Sequence, residues 1–185
     1  MNISYTGIPG LCILEPVVYE DSRGYFYESF NEDKLREKGL SYAFVQDNQS
    51  KSIYGVIRGL HYQLDPYAQT KIIRVLEGSI YDLVVDIRKG SPTFGKSFGI
   101  ELTSDNKKQL YIPKGFAHGF SVLSHVAVIL YKCDCLYAPG SEGGIRYDDP
   151  LLNIDWKINR STAIVSQKDM NLPLLKDANY NFTFE

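Results

Sequence analysis

The chain has 185 residues, with 20 Lys and Arg against 22 Asp and Glu, which gives a formal net charge of −2. At roughly 150 residues per domain, this length predicts a single domain over residues 1–185. Hydrophobic residues make up 44% and charged residues 23%, a composition typical of globular proteins that excludes wholesale disorder. The lack of a Lys and Arg excess argues against a nucleic-acid partner, because no positive charge is available to drive counterion release.

The same sequence carries no sign of a membrane or secretory segment. No window approaches about 18 consecutive apolar residues, so we expect no membrane span and no membrane partner. The first residues lack a charged start and an apolar core, so we expect no signal peptide. Three cysteines do not form a disulfide framework, which is consistent with a cytoplasmic protein.

Taken from the N-terminus, the chain reads as short strands separated by turn residues. Strands are predicted over residues 11–18 and 25–29, and a helix over residues 31–39. Asn31 can cap this helix, acidic residues fill its first turn, and Gly39 can end it. Further strands are predicted over residues 44–52, 56–63, 71–76, 79–87, 94–102, 109–112, 117–123 and 126–137. A last short helix is expected near Asp169, with Pro173 in it or just after it.

The pattern of these strands predicts the fold class. Within residues 79–87, Tyr81, Leu83 and Val85 alternate with the residues between them and form one fully apolar face. About ten short strands joined by turns predict an all-β protein built as an antiparallel sandwich or barrel. A jelly roll fits best, because a single sheet of that many strands tends to curl or split.

Few residues in the sequence are obvious candidates for chemistry. Of the three histidines, His118 shares a predicted strand face with two phenylalanines, and a buried imidazole there needs a polar partner. The ordinary interpretation of any one histidine is a satisfied core residue. Tyr131 and Tyr137 are predicted to lie on one face of the last strand, together with Cys133 and Cys135. The Cys-x-Cys pair is better explained as small core side chains than as a metal site. Glycine-rich phosphate loops are absent, so neither common nucleotide-binding fold is indicated.

Several motifs, in order and spacing, resemble those of one known family. They lie at residues 21–28 (DSRGYFYE), 46–50 (QDNQS), 55–63 (GVIRGLHYQ), 90–95 (GSPTFG), 112–120 (IPKGFAHGF), 131–132 (YK), 149–150 (DP), 154–156 (IDW) and 166–169 (SQKD), together with Lys71. The chain resembles the dTDP-4-dehydrorhamnose 3,5-epimerases, metal-free members of the cupin superfamily, from about residue 5 to 175. The resemblance implies a cupin-type jelly roll, a homodimer, no cofactor and a dTDP-linked 4-keto-6-deoxyhexose substrate.

The resemblance also implies roles for individual residues. His61 would be the general base, oriented by Asp169, and Tyr131 would be the proton donor. Lys71 would stabilise the enolate, with His118 near the same oxygen. Tyr137 would stack on the thymine. The residues implied to hold the nucleotide, diphosphate and sugar are Arg23, Glu28, Gln46, Asp47, Asn48, Arg58, Glu142 and Lys168. The sequence does not say which of these come from a dimer partner.

Elementary chemistry agrees with these roles. Proton abstraction next to a ketone creates an enolate that a nearby cation such as Lys71 can stabilise. A neutral histidine with a carboxylate on its other nitrogen is a suitable base. Inversion needs a second proton-handling group on the other face of the sugar, and a tyrosine with an unperturbed pKa of about 10 can donate at neutral pH.

The sequence further predicts that no metal is bound. Many cupins bind a metal through a His-x-His pair, a Glu and a later His, but Gln63 stands where the second histidine would be. A cation at Lys71 close to His61 and His118 would repel a divalent metal. Asp82 is instead a candidate to orient His118 in the barrel interior.

Three other functions stay open at this point. The chain could be a related epimerase that acts at one carbon only or on a different nucleotide sugar. It could be a non-catalytic sugar-binding jelly roll, although a lectin has no need for His61, Lys71 and Tyr131 together. A metal-dependent cupin oxygenase is disfavoured by the incomplete ligand set.

Overall fold

Strands dominate the structure, a computed structural model that describes residues 1–40 and 43–184. In chain order the elements are β1 (Asn2–Tyr5), β2 (Cys12–Glu15), β3 (Tyr19–Asp21), β4 (Gly24–Phe26), α1 (Glu32–Arg36), β5 (Gln46–Ile53), β6 (Val56–Gln63), β7 (Lys71–Glu77), β8 (Ser79–Asp86), β9 (Ser97–Thr103), β10 (Gln109–Ile112), β11 (Phe116–Val122), β12 (Val126–Cys133), β13 (Glu142–Gly144), β14 (Ile164–Val165) and α2 (Gln167–Met170). Short 3-10 turns cover Pro139–Ser141, Arg160–Thr162 and Leu175–Asp177.

Two antiparallel sheets face each other, as expected for a jelly roll. The first has the order β1-β2-β10-β7-β12-β5, and the second has the order β13-β6-β11-β8-β9. Strand β14 pairs in parallel with the start of β6, and β3 and β4 form a separate hairpin. The predicted all-β jelly-roll class is therefore confirmed.

The core lies between the sheets and on both of their outer faces. Ile73 and Ile129 of the first sheet pack between the sheets against Val84 and Phe120 of the second. Outside the second sheet, a second cluster is centred on the fully buried Trp156, which belongs to the long C-terminal part of the chain. Both faces of the second sheet are thus covered, which is why β8 is buried along nearly its whole length.

The predicted helices are present and have the expected ends. The Asn31 side chain accepts a hydrogen bond from the Lys34 amide at 3.1 Å, which caps α1. Gly39 adopts a φ of +78°, the left-handed conformation that ends a helix. The second helix begins at Gln167 and ends before Pro173. No helix in the described ranges is both long enough and apolar enough to cross a membrane.

Strands β2, β4 and β12 end three or four residues earlier than predicted, and the early end of β12 affects the site. Strand β12 stops at Cys133, not at residue 137, because both neighbouring strands stop there: Cys133 pairs with Gln46, the first residue of β5, and with Lys71, the first residue of β7. Without a ladder on either side, the alternation of side chains no longer holds. The prediction that Tyr137 shares a strand face with Tyr131 is therefore wrong.

Candidate active site

A cavity of about 530 Å³ opens between the two sheets. Lys71 and Tyr131 contribute to its wall from the first sheet, while His61 and His118 contribute from the second. Asp169 of α2 lies at the same cavity. The five residues expected to carry the chemistry therefore converge on one space, and they come from facing sheets.

A bulge in β6 allows two polar residues of that strand to face the cavity. Arg58 and His61 are three residues apart, a spacing that puts side chains on opposite faces of a regular strand. The pairing with β11 slips by one residue between them, so both line the cavity. Gly59 sits in the bulge with a φ of +129°, and a Cβ atom there would lie 2.5 Å from the Gly119 Cα. Only glycine fits this position.

His61 is held by a buried carboxylate. Its Nε2 lies 2.8 Å from Oδ1 of Asp169, which is 4% exposed, and the Gly59 amide donates to the other carboxylate oxygen at 3.2 Å. Burial alone would raise the pKa of Asp169, but the hydrogen bond from His61, its charge and the Gly59 amide lower it on balance. An ionised Asp169 accepts the Nε2 proton, which leaves Nδ1 of His61 unprotonated and able to accept a proton.

The position of Asp169 depends on the cap of α2. The Ser166 hydroxyl accepts a hydrogen bond from the Asp169 amide at 3.1 Å and so caps the helix. Ser166 also lines the cavity, as do Ile164 and Val165 of β14, which the sequence reasoning missed. A serine three residues before an acidic residue is a recognised helix-start pattern, and this signal was available in the sequence.

A second histidine–carboxylate pair lies beside the first. His118 is the direct cross-strand partner of His61, and its Nε2 lies 2.7 Å from Oδ1 of Asp82. This confirms the predicted pairing of Asp82 with His118. Asp82 is fully buried, and among the described residues its Oδ2 has no hydrogen-bond partner.

The first sheet supplies a cation and a phenol. Desolvation by burial lowers the pKa of Lys71, against the opposing influence of Cys133 and Asp82. Desolvation also raises the pKa of Tyr131, which therefore stays protonated at neutral pH. The cavity thus holds imidazole side chains on one wall, and a phenol and an amine on the other.

A smaller lobe of about 260 Å³ adjoins this cavity. It shares His61, Lys71, Tyr131 and Lys168 with the larger cavity, and adds Gln46, Asn48, Tyr137 and Glu142. Lys168 pairs with Glu142 at 2.7 Å, and the exposed Tyr137 donates its backbone amide to Gln46 at 2.9 Å. Most of the residues expected to bind substrate are therefore contiguous with the chemical centre.

Three of the expected residues are not brought to the cavity within this chain. Asp47 lies on the outer face of the first sheet, where it pairs with Lys132 at 2.9 Å. Side chains alternate along β5, so Asp47 points away from the lobe that Gln46 and Asn48 line, and its contact with substrate stays a prediction. Arg23 lies on the β3–β4 hairpin, where its side chain is 87% exposed and pairs with Asp21. Glu28 lies just after this hairpin. The contacts of Arg23 and Glu28 with substrate stay predictions, and they would involve a dimer partner.

The expectation of a metal-free site concerns the same histidines. Within residues 1–40 and 43–184, no three His, Cys, Asp or Glu side chains are grouped so that they could hold a metal ion. Each of His61 and His118 instead has a single carboxylate partner.

Comparisons with known proteins agree in sequence and in structure. A family model described as dTDP-4-dehydrorhamnose 3,5-epimerase matches residues 5–177. The dTDP-4-dehydrorhamnose 3,5-epimerase of Shigella flexneri is 50% identical over 181 residues, which cover 97% of this chain and 99% of that protein. The crystal structure of dTDP-6-deoxy-D-glucose-3,5-epimerase from Legionella pneumophila Philadelphia 1, in complex with dTDP-4-keto-L-rhamnose, superposes with a TM-score of 0.91 at 50% identity, covering 95% of this chain and 93% of that one. A 3'-monoepimerase from Streptomyces bikiniensis, in complex with dTDP-quinovose, is similar with a TM-score of 0.86 at 33% identity over 92% of this chain and 86% of that one.

Proposed function

The chain belongs to the dTDP-4-dehydrorhamnose 3,5-epimerase family, and from this premise we propose how its own residues carry out the reaction. The enzyme converts dTDP-4-dehydro-6-deoxy-D-glucose to dTDP-4-dehydro-L-rhamnose. Carbons 3 and 5 of the sugar both flank the ketone at carbon 4. Loss of a proton from either carbon gives an enolate on the same oxygen, so one cation can serve both inversions.

His61 removes the ring proton through Nδ1. The Nε2 proton is directed to Asp169 at 2.8 Å, so the carboxylate fixes the tautomer and stabilises the imidazolium that forms. The ammonium of Lys71 stabilises the enolate oxygen as it forms. In this proposal His118, which Asp82 holds at 2.7 Å, contacts the same oxygen.

Tyr131 returns a proton to the other face of the carbon. The phenol comes from β12 of the first sheet, whereas the His61 imidazole comes from β6 of the second, and both line one cavity. This placement is the observation that carries the proposal, because a single base would return the proton to the side from which it left. After each inversion His61 loses its extra proton, and the phenolate of Tyr131 regains one.

The adjoining lobe suits the nucleotide end of the substrate. We assign the thymine to the ring of Tyr137, with Gln46 and Asn48 beside it as hydrogen-bond partners. Arg58 and Lys168 supply positive charge for the diphosphate between the two lobes, and Glu142 orients Lys168 through their ion pair.

Arg23 and Glu28 reach substrate only if a second copy contributes them. The β3–β4 hairpin exposes Tyr19, Tyr25 and Phe26, each more than half accessible, which is the kind of apolar surface that an interface covers. We therefore propose a homodimer in which the hairpin of one subunit extends to the cavity of the other. All three cysteines are free in the described structure, which supports a reducing cytoplasmic location.

Proton exchange from deuterated water tests the reaction. With dTDP-4-dehydro-6-deoxy-D-glucose in D₂O, we expect product of L-rhamno configuration with deuterium at both carbon 3 and carbon 5. The similarity to a 3'-monoepimerase makes inversion at carbon 3 alone the second candidate. Deuterium and inversion at only one carbon would establish that candidate and contradict the proposal.

A further inference from the structure

A buried glutamine beside the catalytic base fixes the loop that carries Tyr137. Gln63 is the last residue of β6, two positions after His61, and is 4% exposed. No chemical step described above uses it. Its side chain nevertheless makes three hydrogen bonds, all to backbone atoms outside β6.

Two of these bonds hold the backbone of the residues on either side of Tyr137. The Gln63 Nε2 donates to the Leu136 carbonyl at 3.3 Å, and the Ala138 amide donates to Gln63 Oε1 at 2.7 Å. The third bond runs from Nε2 to the Tyr67 carbonyl at 2.7 Å. Nε2 donates only to carbonyl oxygens and Oε1 accepts from an amide, so these bonds fix the orientation of the side-chain amide.

The rest of the loop is held in the same manner. Gln69 donates to the Cys135 carbonyl at 2.8 Å, and Gln46 accepts from the Tyr137 amide at 2.9 Å. The Tyr137 hydroxyl interacts with Glu142, and this hydrogen bond together with the larger desolvation effect raises the pKa of Tyr137. The ring itself remains 50% exposed at the edge of the smaller lobe.

We propose that Gln63 is a positioning residue for nucleotide recognition, which acts by holding the Tyr137 ring ready to stack on the base. The inference rests on the proposed contact between Tyr137 and thymine. A loop outside any strand ladder would otherwise have to be ordered when the ligand binds, and that ordering would cost affinity. Gln63, which also lines the smaller lobe, removes this cost before binding.

The test compares Gln63→Met, Tyr137→Ala and the double variant by calorimetric titration with dTDP. Methionine keeps the length of the side chain and loses all three hydrogen bonds. We expect Gln63→Met to raise the Kd for dTDP about tenfold and to raise KM similarly, with kcat within about twofold of the wild type. On the Tyr137→Ala background, Gln63→Met should add nothing further. The Kd for inorganic pyrophosphate, which has no base, should not change.

Controls separate this role from a general loss of stability. Ser121 makes a buried side-chain bond to the Trp156 carbonyl outside the second sheet, so Ser121→Ala should lower Tm without changing the Kd for dTDP. If Gln63→Met does not fold, Gln63→Glu keeps the acceptor for Ala138 but sets an oxygen against the Tyr67 and Leu136 carbonyls, and should weaken dTDP binding at least as much as expected for Gln63→Met.

The outcomes that overturn the inference are distinct from those that overturn the proposed function. A raised Kd in Tyr137→Ala with an unchanged Kd in Gln63→Met would refute the role of Gln63 alone. Additive effects in the double variant would also refute it, because Gln63 would then act independently of Tyr137. An unchanged Kd in Tyr137→Ala would remove the stacking contact itself, and the inference with it.

Discussion

Replacing Asp169 with asparagine changes one atom of the cavity and tests how the base is prepared. The carboxylate is almost fully buried and accepts from His61 at 2.8 Å and from the Gly59 amide at 3.2 Å. Asparagine has the same shape, and its oxygen can still accept from Gly59. Its amide group then faces Nε2 of His61 as a donor, which favours the tautomer with the proton on Nδ1.

The size of the effect follows from this geometry. A proton on Nδ1 blocks the atom that accepts the sugar proton, and the charge that stabilises the imidazolium is lost. A positioned base is typically worth about 10²–10⁴-fold, so Asp169→Asn should lower kcat by that factor. KM should change only a few-fold, because Asp169 acts through His61. Steady-state rates of epimerisation measured by NMR are sufficient, and a kcat within threefold of the wild type would refute this account of the base.

Asp169→Asn should also change how the free energy of unfolding depends on pH. Because the pKa of Asp169 is lowered in the folded protein, the carboxylate contributes stability above the unfolded value of about 3.9. That contribution is lost as the pH falls through the folded pKa. Urea unfolding across this acidic range should show a steeper loss of stability for the wild type than for Asp169→Asn. Parallel curves would show that the pair does not couple to folding.

Three further predictions concern the bulge, the cation and metal dependence. Gly59→Ala should lower the free energy of unfolding in urea by about 3 kcal/mol, because its Cβ would lie 2.5 Å from the Gly119 Cα. Gly140→Ala should be nearly neutral, because a Cβ there meets no atom within 4 Å. Equal stability of the two variants would contradict the bulge geometry. Lys71→Met should lower kcat at least about a hundredfold with a smaller change in KM, and a nearly normal kcat would show that the enolate is stabilised elsewhere. Treatment with EDTA should leave activity unchanged, and activity restored only by an added divalent metal would overturn the metal-free assignment.

The local pattern predicted ten of the fourteen strands in the described residues, and it is informative for some side-chain directions. Strands β6 and β10 begin and end where the alternation and the turn residues predict. The ladders of β10 with β2 and β7 run without a register shift. Alternation along β5 also implies that Asp47 and Gln46 face opposite ways. The family resemblance suggested both residues as ligands, and the physical rule of alternation would have separated them.

The geometry of the site could not be predicted from local pattern. His61 and Asp169 are 108 residues apart, and only the packing of α2 against β6 brings them together. The bulge at Gly59 depends on the close approach of β11, so nothing within residues 55–63 distinguishes this glycine from one in a turn. The role of Gln63 is similarly tertiary, because its side chain bonds to the backbone of residues 67, 136 and 138, whose positions the fold determines.

In the proposed mechanism, proton removal and proton return occur from facing sheets of one cavity. The Tyr131→Phe variant, incubated with dTDP-4-dehydro-6-deoxy-D-glucose in D₂O, separates the two steps by NMR. We expect deuterium to enter at carbon 3 or 5 through His61 while the configuration is retained, and we expect His61→Asn to lose both exchange and inversion. Inversion at both carbons by Tyr131→Phe at the wild-type rate would contradict the claim.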